Sequence, residues 1–161
     1  MPAMTDPSDN LPTFILAFEE GALPLQAAAL SPDFWAMRDE PLPGVLRLTY
    51  ALITDEVLAL VIIINAEPIK GVPCFAIGYA VPEEHRNNGF AKRAVDAALN
   101  ELQHGFFRSG LKHFFVEAII GEENTASQKI AATALSASFT TCNDDQSGLP
   151  ARQYLREFKE G

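Results

Sequence analysis

The chain has 161 residues, 48% of them hydrophobic and 20% charged, with 11 Phe; that is one domain's worth of chain, and it excludes intrinsic disorder, which needs low hydrophobicity. Against 21 Asp+Glu stand 12 Lys+Arg, a net charge of −9. Sequence-independent nucleic-acid binding runs on clustered bases and is disfavoured, whereas a cationic substrate suits the overall field.

Met1–Pro12, rich in Pro, Asp, Ser and Asn, reads as a flexible N-terminus, and residues 13–161 as a single domain. Thr13–Phe18 (TFILAF) reads as a short apolar strand. Leu23–Leu30 and Pro32–Asp39 are predicted as short helices, the second with Ser31 as N-cap before Pro32. After the breaker Pro41-Leu-Pro-Gly44, Val45–Ile53 and Glu56–Asn65 are strands, joined as a hairpin through Thr54-Asp55. Cys74–Val81 is a third β run, stopped by Pro82. The spacing of Ala91, Ala94, Val95, Ala98, Leu99, Leu102 and Phe106 predicts a long amphipathic helix from Gly89 to about Arg108. Lys112–Ile120 is a strand. Asn124–Leu135 is a helix with a capping-box pattern, Thr125-x-x-Gln128. Phe139–Cys142 and Arg152–Phe158 form a closing hairpin across a polar stretch. The order predicts a mixed α/β (α+β) fold in which the strand–helix–strand unit over residues 74–120 is parallel with a right-handed crossover.

Cys74 and Cys142 form no CxxC and no Cys/His metal pattern, so neither a disulfide framework nor a metal site is expected. The longest apolar run, Val57–Ile64, falls far short of the about 20 residues a spanning helix needs. The N-terminus lacks a basic region and an apolar core, so no signal peptide is read. A cytoplasmic protein with no membrane or nucleic-acid partner is expected.

The informative stretch runs from Tyr79 to Arg93, where a strand ends, a turn follows and a helix starts at Gly89. The first N–H groups of a helix have no partner inside it and point outward, and the helix dipole adds partial positive charge there. Gly89 allows close approach to the backbone, and Arg86, Lys92 and Arg93 gather with no acid between residues 85 and 93. These features point to an anion site, most simply for phosphate; on helix chemistry alone an ordinary helix start with solvated bases is an equal reading. The loop is neither a Walker A motif nor GxGxxG.

Arg86-Asn-Asn-Gly89-Phe-Ala91 resembles the (Gln/Arg)-x-x-Gly-x-(Gly/Ala) signature of the GNAT N-acetyltransferase superfamily, and its setting between strand and long helix is similar. Glu123-Asn124-Thr-Ala-Ser127 resembles a segment of the branch that acetylates N-termini of ribosomal proteins. The resemblance implies a mostly antiparallel sheet of about seven strands flanked by helices, with one splayed parallel strand pair. It implies acetyl-CoA as cosubstrate, its pyrophosphate on the amides of Asn87, Asn88, Gly89, Phe90, Ala91 and Lys92, with Arg86 leading the motif. It implies a pantetheine arm running along Tyr79, Ala80 and Val81, and a contact from Asn124 near the thiol. Gly78 is consistent with a bulge beside the slot or with tight packing under the helix. One departure stands out: the tyrosine that many family members carry seven residues after the Asn is Ala131 here.

An amine nucleophile must lose its proton before attacking a thioester, so a general base is needed. Glu117, on the strand beside the slot, is the first candidate; Glu19, Glu20, Glu83, Glu84 and water are rivals. Strand amides near Val81 are expected to hold the oxyanion, and Ser127 or water to protonate the thiolate. The expected activity is transfer of acetyl to a primary amine, either a protein N-terminus or a small polyamine-like molecule, with no metal. A non-catalytic acyl-CoA sensor is the alternative, and a homodimer is possible. Trp35 is read as rim packing or as a wall of the acceptor pocket. His85, His104 and His113 are read as surface residues.

Overall fold

Eight consecutive apolar residues, Val57–Ile64, are buried on both faces of one strand, which requires cover on each side of the sheet. The computed structural model describes residues 7–145 and 147–161. In chain order it contains α1 (Pro7–Glu19), β1 (Gln26–Ala27), β2 (Phe34–Leu42), β3 (Val45–Ile53), β4 (Val57–Ile69), β5 (Val72–Ala80), α2 (Phe90–Ser109), β6 (His113–Gly121), α3 (Thr125–Ala134), β7 (Phe139–Asn143) and β8 (Pro150–Lys159). The strands form one eight-stranded sheet in the order β1-β2-β3-β4-β5-β6-β8-β7. Every neighbouring pair is antiparallel except β5–β6, which is parallel as expected.

Strand alternation divides the core in two. Ala59, Val61 and Ile63 of β4 join Phe75 and Ile77 of β5 and Phe114, Val116 and Ala118 of β6 under α2 and α3. Leu60 and Ile62 join Ala51, Ile53 and Ala80 under Leu11 and Phe14 of α1. Fully burying one such side chain contributes about 1.5–3 kcal/mol. A buried carboxylate ties the edge of the sheet to α2: Glu101 accepts hydrogen bonds from the amides of Ala29 and Leu30, both at 2.8 Å.

The N-terminal third corrects the sequence expectations. Thr13–Phe18 is not a strand but part of α1, which already begins at Pro7 within the expected loose end; residues 1–6 lie outside the described residues. Leu11 and Phe14 are buried and Ile15 and Phe18 pack beside them, a helical i, i+3, i+4, i+7 stripe. The helices expected over residues 23–30 and 32–39 are absent. Residues 26–27 form β1, Asp33 takes a left-handed φ of 59°, and Phe34 onward pairs along β3. Hairpin pairing with the next strand, closed at Leu42↔Val45, overrode local propensity. Trp35 therefore stands on β2, partly exposed.

Candidate active site

The two parallel strands hydrogen-bond over a short stretch only: Cys74↔Phe115, Phe75↔Val116 and Ala76↔Glu117. Both then run on, β5 to Ala80 and β6 to Gly121, without pairing to each other. On its other side β5 stays in regular register with β4 from Ala66↔Cys74 to Leu60↔Ala80, with Ile62 opposite Gly78. The bulge expected at Gly78 is thus absent from the β4–β5 ladder, and the opening comes from the separation of β5 and β6 alone. Past Ala76 every second residue of β5 directs its N–H and C=O toward the slot rather than into a ladder.

A cavity of about 720 Å³ occupies this opening. Tyr79, Glu117, Asn124 and Ser127, four residues singled out from the sequence, all line it. Ala80, Val81 and residues 86–92 do not; they form the end of β5, the following turn and the start of α2. Of the rival bases, Glu19 and Glu20 lie at the end of α1 and Glu83 and Glu84 in a short 3-10 turn, all exposed and outside the lining. Trp35 is also outside it.

Glu117 sits where the strands part. The inward partners Val116 and Ala118 face the α2–α3 core, so alternation turns Glu117 to the α1 face. Gln153 on β8 lies diagonally across from it and donates from Nε2 to Glu117 Oε1 at 2.9 Å. The Thr140 hydroxyl on β7 donates to Gln153 Oε1 at 3.1 Å, which fixes the amide's orientation. Burial raises the Glu117 carboxyl above its ordinary range, the Gln153 hydrogen bond partly opposes this, and the charge of Asp145 adds to the rise. A carboxylate with a raised pKa, held at the base of a slot, is a better proton acceptor than an exposed one. Gln153 was invisible from sequence because only the β6–β8 register brings it there.

The cavity wall is acidic. Asp9, Glu67, Glu117, Asp144 and Asp145 line it, and among the described residues no Lys, Arg or His does. Cys142 is there too, its thiol pushed up by burial first and then by Glu117, Asp144 and Asp145. Cys74 and Cys142 are both free thiols.

At the mouth of the slot, α3 begins with Asn124, whose Oδ1 accepts from the Ser127 amide at 3.1 Å. This cap replaces the expected Thr125–Gln128 box. Gln128 is buried and turns back instead, donating to the carbonyls of Gly121 and Glu122 at 2.8 and 3.0 Å.

The turn before α2 is built for exposed amides. Asn87 and Gly89 both take left-handed φ values, 66° and 76°, and Gly89 is the N-cap with no side-chain cap bond. A Cβ at Gly89 would meet no atom within 4 Å, so the space above it is open. The Asn88 side chain donates to the carbonyls of His85 and Arg86, and Arg86 Nε donates to the Val81 carbonyl at 3.3 Å. All three contacts brace the turn. Lys92 pairs with Asp96 at 2.8 Å, so the local positive charge rests more on the backbone than the sequence suggested. His85 pairs with Glu56, and His113 with Glu157 at 2.6 Å, both at the surface.

A family model described as the acetyltransferase (GNAT) family matches residues 11–134. No curated protein matches the sequence. Among solved structures, the ribosomal-protein-S5-alanine acetyltransferase from Vibrio fischeri shares 9% identity at a TM-score of 0.52, over 84% of this chain and 98% of that one. The ribosomal L7/L12 alpha-N-protein acetyltransferase RimL, in an apo crystal form, shares 15% identity at a TM-score of 0.53, over 82% and 94%. At such identities these two likenesses describe the fold. No described helix is long and apolar enough to cross a membrane.

Proposed function

The chain belongs to the GNAT acetyltransferase family, whose members use acetyl-CoA, and from that premise we propose that it transfers acetyl to a cationic primary amine, with Glu117 as general base. The observation that carries this reading is the acidic cavity at the parting of β5 and β6, with a half-buried carboxylate at its base.

The residues present fit the cosubstrate. The amides of residues 87–92 have no acceptor among the described residues, and they sit on a helix start whose dipole favours a phosphate. Arg86 braces that turn through Val81. The unpaired edge of Tyr79, Ala80 and Val81 offers strand-like hydrogen bonds to an extended amide arm, and Asn124 stands at the mouth. Acetyl-CoA supplies an activated acyl group on a thiol of ordinary pKa about 8.5. Glu117 takes a proton from the acceptor's ammonium, directly or through one water, and releases the neutral amine needed for attack. Gln153 keeps the carboxylate aimed at the slot. An amide near Val81 holds the developing oxyanion. Ser127 lies close enough to the mouth to return a proton, although water serves nearly as well for a thiol that leaves readily.

The acid-lined wall favours acceptors with positive charge beyond the reacting nitrogen, such as a polyamine-like molecule or a basic N-terminus. Free-thiol release from acetyl-CoA, measured with a panel of monoamines, polyamines and N-terminal peptides, tests this. The expected result is turnover with at least one class and higher kcat/KM for polycationic amines than for monoamines of similar size. Absence of turnover with every class, despite acetyl-CoA binding, contradicts the proposal.

A further inference from the structure

One half-buried titratable side chain at the slot has no part in the reaction described so far. The Tyr79 side chain leaves β5 on the α2–α3 face and packs against that core. Its hydroxyl crosses the slot and donates to the Ser127 carbonyl at 2.8 Å. Tyr79 and Glu117 therefore approach the same cavity from opposite faces of the sheet. A base for the incoming amine and a donor for the outgoing sulfur are needed on opposite sides of a thioester carbonyl, and this is how the two groups are disposed.

The chemistry singles Tyr79 out among the hydroxyls of the lining. A phenol has an ordinary pKa of about 10, well below an aliphatic alcohol, so it is the stronger donor; Ser127 and Ser147 are the other hydroxyls there. Burial raises the Tyr79 hydroxyl further, as does Tyr154, against a smaller lowering from the Ser127 contact. Tyr79 is thus kept protonated, a donor and never a competing anion. Its present acceptor is one it can leave. The Ser127 carbonyl lies in the first turn of α3, where helical geometry also pairs it with the Ala131 amide, so departure of the hydroxyl orphans nothing. The methyl of Ala131 supplies no donor on that same turn, and the phenol delivered from the strand occupies the vicinity.

We propose that the Tyr79 hydroxyl is a catalytic hydrogen-bond donor to the departing thiolate. This rests on the acetyl-transfer reading above and adds to it the group that stabilises the leaving sulfur. As the tetrahedral adduct collapses, the C–S bond breaks, its electron pair goes to sulfur, and Tyr79 donates to that sulfur without giving up its proton; water completes protonation of the thiol.

Binding separates this role from a structural one. Calorimetric titration of wild type and Tyr79→Phe with CoA and with desulfo-CoA, at a pH near 8.5 where the thiol ionises, reads the sulfur contact directly. A hydrogen bond to a charged partner is involved, so Tyr79→Phe should weaken CoA binding roughly 10- to 100-fold. Its affinity for desulfo-CoA, and its melting temperature, should match wild type. kcat with acetyl-CoA should fall by a similar factor. Equal weakening of both ligands would make Tyr79 a structural prop and overturn the proposal, as would unchanged CoA affinity. Wild type binding neither ligand would sink the acetyl-transfer reading itself, and this proposal with it.

Discussion

The seam between β5 and β6 has two halves made by the same strands, and they differ in everything that matters for chemistry. In the closed half, residues 74–76 and 115–117 exchange ladder hydrogen bonds, and Phe75, Phe114 and Val116 are buried beneath α2. In the open half, residues 77–80 and 118–121 separate, and the gap collects carboxylates, a phenol and a capped helix start. The closed half fixes the angle at which the strands diverge. The open half exposes the polar backbone and the raised carboxylate that a buried ladder would forbid. Glu117 stands at the boundary, paired to Ala76 by its backbone and open to the slot by its side chain.

Four substitutions sharpen or break this contrast. The largest effect is expected from Glu117→Gln, which should lower kcat by roughly 10²–10⁴ with little change in acetyl-CoA affinity by calorimetry. Stability should not fall with it. Burial raises the Glu117 pKa, so ionisation in the fold works against stability as pH rises through that value; a neutral Gln should leave the neutral-pH melting temperature equal or higher. Full turnover in this variant would move the base elsewhere. In the closed half the reverse pattern is expected: Phe114→Ala removes a fully buried ring stacked on Phe158 at 4.9 Å and should cost about 3–5 kcal/mol in denaturant unfolding. A smaller cost would mean that the seam is not the rigid support described.

At the turn before α2, Gly89→Glu should weaken CoA binding by roughly 10- to 100-fold, since a carboxylate would compete for amides that hold a phosphate. The left-handed φ of 76° adds backbone strain. Equal binding by calorimetry would remove the phosphate from that turn. The smallest effect is assigned to Ser127→Ala. With water able to protonate the thiolate, kcat should drop less than about tenfold, and the cap should survive because it uses the Ser127 amide rather than its hydroxyl. A loss beyond a hundredfold with an unchanged melting curve would make Ser127 the acid.

The legibility of these regions from sequence follows the range of the interactions. The turn before α2, α2 itself, β6 and α3 read correctly because each is announced within a few residues by period, cap or breaker: Gly89 before Phe90, Gly110 after Ser109, Asn124 before Thr125. Asn124 caps the helix, and the expected box from Thr125 to Gln128 is absent because Gln128 finds better acceptors in the chain behind it. α1 misreads because its partners are remote: TFILAF becomes a helix by packing Leu11 and Phe14 on β4 and its neighbours. β1 and β2 misread because their cue lies outside their own residues, in the ladder each forms with the next strand, closed for β2 at Leu42↔Val45. Within the site, Glu117, Ser127 and Asn124 were legible as residues on named elements. Gln153, Glu67 and Asp145 were not, since nothing in their local sequence marks them and only the sheet order brings them to Glu117. The closing hairpin itself was read, and strand alternation carried across β6 and β8 would have pointed to Gln153 once their pairing was known.

The central claim is that Glu117, at the parting of the strands, takes the acceptor's proton. The pH dependence of kcat/KM, compared between wild type and Glu117→Gln with one polyamine acceptor, tests it most directly. Wild type should show an acid limb set by one group titrating above the ordinary glutamate value of about 4.3, because burial disfavours the charged carboxylate, and that limb should be missing from the variant. An identical acid limb in both proteins would contradict the account.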